Sequence, residues 1–278
     1  MNFKSLFSKA PKIAGFTIGT IIVIVALVFL IRSCSSNNKR SQSLYFIGRD
    51  VSWYPMQLAA KEKNLLAFTN DLLSIIASNE HLRFEFVDVT PTLLIQGLDN
   101  GHYDAIITTM RPNVVNQEKY DFSEMYYELG PVLILRKDSP RLSLKEMKGH
   151  TIGIVTGSSL IFNALRETGA NIYELTFVSY DTNIRALDAL VKKQIDAAII
   201  SALPAYSLVQ SLYSNSLRIA SAPLADEGVR LVGLKNERTE NLIDKFDKRL
   251  EEATEDGTYK KLIEKWSLID ASHPPPQK

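Results

Sequence analysis

From residue 44 to residue 266, short apolar runs alternate with stretches of helical periodicity, and this order constrains the fold more than any other feature. Residues 44–48 (LYFIG) read as a buried strand, and residues 71–78 put apolar side chains at 72, 73, 75 and 76, one helical face. Residues 84–89 alternate as a strand, residues 92–98 form a short helix ending near Gly101, and residues 103–108 are again a strand. The pattern continues with strands at 132–135, 151–155, 177–180 and 197–200, and with helices from Ser159 and over 182–192. Strands separated by helical crossovers pair in parallel, so the order implies an α/β protein with parallel sheets covered by helices. At 278 residues, 45% hydrophobic and 23% charged, the chain can bury one large core or two modest ones, which excludes a disordered polypeptide.

An internal echo favours two lobes. Residues 95–107 (IQGLDNGHYDAII) and 186–200 (ALDALVKKQIDAAII) both run helix, short turn, Asp-Ala and buried strand. Two lobes of similar construction produce such an echo.

Residues 13–31 contain no charge and follow Lys4, Lys9 and Lys12. As a helix this run is roughly 28 Å long, close to the thickness of a bilayer core. It is either a retained single-span anchor or a signal peptide cleaved before Cys34, which would then carry lipid; residues 30–34 (LIRSC) resemble a lipobox, with Arg32 departing from its pattern. Residues 1–31 are therefore expected to be a signal or transmembrane anchor, and the polar residues 32–43 a flexible tether. Both readings place the globular part on the extracytoplasmic, periplasmic face of a membrane.

Six of the 32 basic residues and none of the 31 acidic residues fall within residues 1–43, leaving a net charge of −5 beyond them. With no basic stripe, the globular part has no general attraction for nucleic acid. The single cysteine excludes an intramolecular disulfide and a cysteine-cluster metal site, and His81, His102, His150 and His273 lack neighbours at ligand spacing. No nucleophile-elbow, P-loop or dinucleotide motif is present, so neither a cofactor nor a metal is expected.

Six segments, in order, resemble the extracellular solute-binding proteins of polar amino-acid ABC importers, family 3, of the glutamine- and arginine-binding kind. They are residues 48–55 (GRDVSWYP), 67–72 (AFTNDL), 97–110 (GLDNGHYDAIITTM), 121–127 (DFSEMYY), 147–158 (MKGHTIGIVTGS) and 256–266 (DGTYKKLIEKW). The resemblance implies a two-lobed type II periplasmic-binding fold, each lobe a mostly parallel sheet flanked by helices. Lobe 1 would comprise residues 44–126 and 231–270, lobe 2 residues 131–226, and the hinge residues 127–130 and 227–230, with a solvated tail at 271–278.

In such a fold the solute is enclosed between the lobes, and a zwitterion removed from water needs acceptors for its ammonium and donors for its carboxylate. Asp50, after the first strand, is either an amine acceptor or a turn carboxylate, and Trp53 either lines the solute or packs within its lobe. Thr108 and Thr109 end a buried strand where the family binds the α-carboxylate. Gly157, Ser158 and Ser159 precede a helix, where N–H groups and hydroxyls hold an anion or cap the helix. Two positions depart from the family: Asn116 stands where it carries the carboxylate-binding Arg, and Ser201 where it carries the amine-binding Asp. Arg111 is the candidate replacement guanidinium, with a solvent-facing Arg before Pro112 as the alternative.

The expectation is a membrane-tethered, non-enzymatic binding protein that delivers a small polar solute, an amino acid, to ABC permease subunits. Two other classes fit the same scaffold. One is a dehydratase, for which Asp50 is the single visible acid, and the other a non-transporting sensor or degenerate binder.

Overall fold

The computed structural model describes residues 43–53, 58–156 and 165–271. The apolar run 13–31, Cys34, all but the last residue of the tether, Gly157, Ser158, Ser159 and the tail after Ala271 lie outside the described residues. Among the described residues no helix is long and apolar enough to cross a membrane.

Lobe 1 opens with β1 (Ser43–Arg49), α1 (Glu62–Glu80), β2 (Leu82–Asp88), α2 (Pro91–Asp99), β3 (Ala105–Thr108) and β4 (Tyr120–Phe122). The two-residue strand β5 (Tyr127–Glu128) leads into lobe 2: β6 (Pro131–Arg136), β7 (Thr151–Val155), β8 (Thr176–Tyr180), α3 (Asn183–Val191), β9 (Ala197–Ser201), α4 (Ala202–Gln210) and β10 (Leu217–Ile219). The chain returns along β11 (Gly228–Leu234) and closes lobe 1 with α5 (Glu237–Glu255) and α6 (Thr258–Lys265). One sheet runs β2-β1-β3-β11-β4 with β5 also on β11, and the other runs β10-β6-β9-β7-β8.

The expected parallel pairs are present: β1 beside β3, and β7 beside both β8 and β9. Antiparallel strands extend each sheet. β11 opposes β3, β4 and β5, and β6 opposes β9 and β10. Strands whose chain passes between lobes arrive from the far lobe rather than through a helical crossover, so parallel pairing is not imposed on them.

Helix α1 is longer than the stretch 71–78 read from periodicity. Leu65, Phe68, Thr69, Leu72, Leu73 and Ile76 are all buried along one face, and Asn64, Asn70 and Thr69 obscure its early period. Helix α5 begins where the Asn236 side chain accepts a bond from the Thr239 N–H at 3.0 Å, satisfying one otherwise unpaired donor of the first turn.

Lobe 2's sheet is apolar on both faces. Val132, Ile134, Ala198 and Ile200 belong to one core cluster, while Leu133, Leu135, Ile152 and Ile199 belong to the other, as side chains alternate across the strands. Lobe 1's main core gathers Ile47, Phe68, Tyr126, Tyr127 and Phe246, and Leu203 of α4 packs into it from lobe 2.

The crossing strands pack too closely for side chains. A methyl at Gly130 would lie 2.5 Å from the Ala225 carbonyl oxygen, and one at Gly228 would overlap the Tyr127 carbonyl oxygen.

Candidate functional site

In each lobe a parallel strand lies between neighbours reached in opposite directions, and open α/β sheets bind ligands at the carboxyl ends of strands at such points. In lobe 1 this is β1, between β2 and β3; in lobe 2 it is β7, between β8 and β9. Arg49 pairs with Ile107, so the chain continues to Asp50 and Thr108 at adjacent strand ends. Gly153 pairs with Ala198, so Thr156 and Ser201 end β7 and β9 side by side.

Both strand ends lie beside the crossing strands. Thr108 opposes Arg230 of β11, and Ser201 opposes Pro131 at the start of β6. The carbonyl of Gly130 accepts a bond from the Ala202 N–H at 3.2 Å.

The side chains expected at the site have unequal local roles. Asp50 is half-buried and accepts from the Ser52 N–H at 2.9 Å and the Ser52 hydroxyl at 2.7 Å, which fixes the turn after β1. Trp53 is buried within the lobe 1 core, in left-handed backbone conformation (φ 56°). Its Nε1 is buried without an acceptor among the described residues. Thr108 Oγ1 accepts from the Met110 N–H at 3.2 Å, and Thr109 is half-buried in the same turn. Ser201 precedes α4 without capping it.

Asn116 braces the loop rather than presenting a charge. Its Nδ2 donates to the Arg111 carbonyl at 2.7 Å, and its Oδ1 accepts from the Asn113 N–H at 2.7 Å. The guanidinium of this region is that of Arg111, on the segment that follows β3. It pairs with Glu167 of lobe 2 and lies 3.7 Å from Glu227, which immediately precedes β11.

Four further charged residues surround it. Glu167 Oε2 also accepts from the Asp226 N–H at 3.2 Å, and Arg230 donates to Asp226 at 2.9 Å. Arg230 and Glu227 are both buried, at 4% and 6% exposure. Burial pushes the Glu227 carboxyl up to about 7, against the pull of Arg111 and helped by Asp226. The sequence offered a signal for three of them: residues 225–230 (ADEGVR) place charges directly at the mouth of an apolar strand. Glu167 carried none, since Arg166-Glu167 reads as an ordinary exposed helical pair.

Chemically, this is a guanidinium on a loop braced by Asn116, directed at a carboxylate of lobe 2 and able to hold a carboxylate. Among the described residues no group of His, Cys, Asp and Glu is arranged to hold a metal ion.

The family model of bacterial extracellular solute-binding proteins, family 3, matches residues 45–269. An arginine-binding extracellular protein, ArtP, of Bacillus subtilis is 27% identical over 252 residues, covering 88% of this chain and 96% of its own. The glutamine-binding protein GlnH of the ABC transporter of the same organism is 27% identical over 207 residues, 73% of each chain. Among solved structures, the unliganded, open L-cystine solute receptor of Neisseria gonorrhoeae superposes with a TM-score of 0.62 at 22% identity, over 85% of this chain and 97% of its own. These relatives are binding proteins, not enzymes, and with the match over residues 45–269 they identify the chain as a member of the bacterial extracellular solute-binding proteins, family 3.

Proposed function

We propose that this protein is the extracytoplasmic binding component of an ABC importer, and that it captures a small polar amino acid between its lobes and closes over it. The observation that carries this reading is the position of Arg111: on lobe 1, at the strand ends, within reach of a carboxylate on lobe 2. A solute α-carboxylate placed there would take over the guanidinium from Glu167. Asp50, Thr108, Thr109 and Arg111 form the first contact surface, with Asn116 holding the Arg111 loop and Trp53, buried in the lobe 1 core, behind it. Closure then adds Ser201 and the segment carrying Gly157, Ser158 and Ser159.

The pairing of β5 with the start of β11 supports residues 127–130 and 227–230 as the hinge, where backbones cross at glycine. Solute contacts on both lobes would stabilise the closed form, which the permease would read from its outer surface. The run 13–31, or lipid on Cys34, would tether the protein to the membrane beside that permease.

Titrating the twenty amino acids into the wild type and into Arg111→Ala by calorimetry tests the proposal. At least one amino acid should bind the wild type, and at least tenfold more weakly in the variant, a loss of about 1.4 kcal/mol or more. Equal affinity in both would remove Arg111 from the site, and no binding by any amino acid would remove the solute class.

A further inference from the structure

A second cationic site lies on lobe 2, away from the strand ends that face the hinge. Strand β6 starts at Pro131, beside the crossing strands, and ends at Arg136, about 17 Å further on at ordinary strand rise. Past that far end, against the edge strand β10, is a cavity of 650 Å³. Among the described residues its charged lining consists of Lys137, Arg141 and Arg218, accompanied by Ser139 and Ser143, with no carboxylate.

Two features separate this cluster from an ordinary solvated face. First, Arg218 is held in place: its Nη2 donates to the Ser139 carbonyl at 3.0 Å and the Pro140 carbonyl at 2.9 Å. Second, the two arginines have no carboxylate partner among the described residues. Most arginines of the described residues reach a carboxylate, among them Arg49, Arg111, Arg136, Arg230 and Arg249. Arg141 and Arg218 do not. The neighbouring acids are committed elsewhere. Asp138 is paired with Arg136 at 3.3 Å and Lys193 at 3.1 Å, and Glu146 accepts from the Ser143 N–H and hydroxyl at 2.8 and 2.7 Å. Burial and the nearby Arg141 both draw Arg218 below the ordinary guanidinium value. Two neighbouring guanidiniums repel each other, and an anion bound between them adds two attractions that outweigh the repulsion.

We infer that this cavity is an anion site, in which Arg218 and Arg141 bind a phosphoryl or carboxylate group. Its volume lies within the range of small-molecule sites, so it admits a small organic anion or a lipid headgroup.

Inorganic phosphate, titrated into the full-length protein in detergent against chloride at equal ionic strength, is the direct probe. Wild type should bind phosphate, and Arg141→Gln should bind it at least tenfold more weakly while keeping its melting temperature and its amino-acid affinity, because Arg141 is exposed and holds no loop. Arg218→Gln should lose phosphate binding too, and Arg111→Ala should keep it, which separates this site from the interlobe cleft. Vesicles of phosphatidylglycerol compared with phosphatidylcholine distinguish the sources. A preference for phosphatidylglycerol that Arg141→Gln abolishes identifies a headgroup, whereas phosphate binding without that preference identifies a free anion. Phosphate affinity that is unchanged in Arg141→Gln, or absent from the wild type, would overturn the inference.

Discussion

Arg111 of lobe 1 is ion-paired with Glu167 of lobe 2, so the two lobes are bridged at the site where a solute carboxylate is proposed to bind. Glu167 would therefore compete with a solute carboxylate for the guanidinium. Replacing Glu167 by Gln should tighten amino-acid binding about three- to tenfold, since a half-exposed ion pair is worth roughly 1 kcal/mol. Calorimetry on Glu167→Gln checks this, and weaker binding would mean that Glu167 holds the solute instead.

Glu227 makes stability depend on pH with a defined sign. Its carboxyl titrates at about 7 in the fold, and a free Glu at about 4.3. Between these values the unfolded chain has released its proton and the folded chain has not, so stability falls as pH rises from about 4.5 to about 7. The full cost, on the order of 3 kcal/mol, is present above pH 7 and absent below pH 4. Asp247, pushed up to about 6 by burial, acts in the same direction. Urea midpoints at pH 5 and pH 8 should differ markedly in the wild type and much less in Glu227→Gln.

Gly228 starts β11, where a side chain would overlap the Tyr127 carbonyl. Gly228→Ala should lose about 1–3 kcal/mol of stability by forcing the crossing strands apart. Denaturant unfolding of Gly228→Ala checks this, and a midpoint equal to that of the wild type would contradict it.

Ser123 is buried, and its hydroxyl accepts from the Leu231 N–H at 2.9 Å while donating to the Glu124 carbonyl at 2.8 Å. Ser123→Ala leaves a buried donor of β11 unsatisfied and should cost about 1–3 kcal/mol. A midpoint indistinguishable from wild type would show that solvent reaches that N–H.

The alternation of strands and helices was legible because burial imposes a period on each element. Residues 132–135 are apolar without interruption because the lobe 2 sheet is covered on both faces, and residues 197–200 for the same reason. Pairing direction was not legible, because β11 and β6 take theirs from a chain that has just crossed between lobes, which no local pattern records. At the site, Asp50, Thr108 and Ser201 could be placed at strand ends from sequence, since strand boundaries fix them. The Arg111–Glu167 pair, residues 56 apart, could not, because an exposed acid in a helix has the same local sequence whether or not an arginine of the other lobe faces it.

The most direct measurement is an interlobe distance. Spin labels at the exposed positions Leu93 and Tyr173, on a background with Cys34 replaced by Ser, report one lobe against the other in the full-length protein in detergent. A hinged clamp should shorten the label-to-label distance by several ångströms when a binding amino acid is added, and Arg111→Ala should suppress the change at the same amino-acid concentration. A distance distribution that stays the same at saturating amino acid would contradict closure.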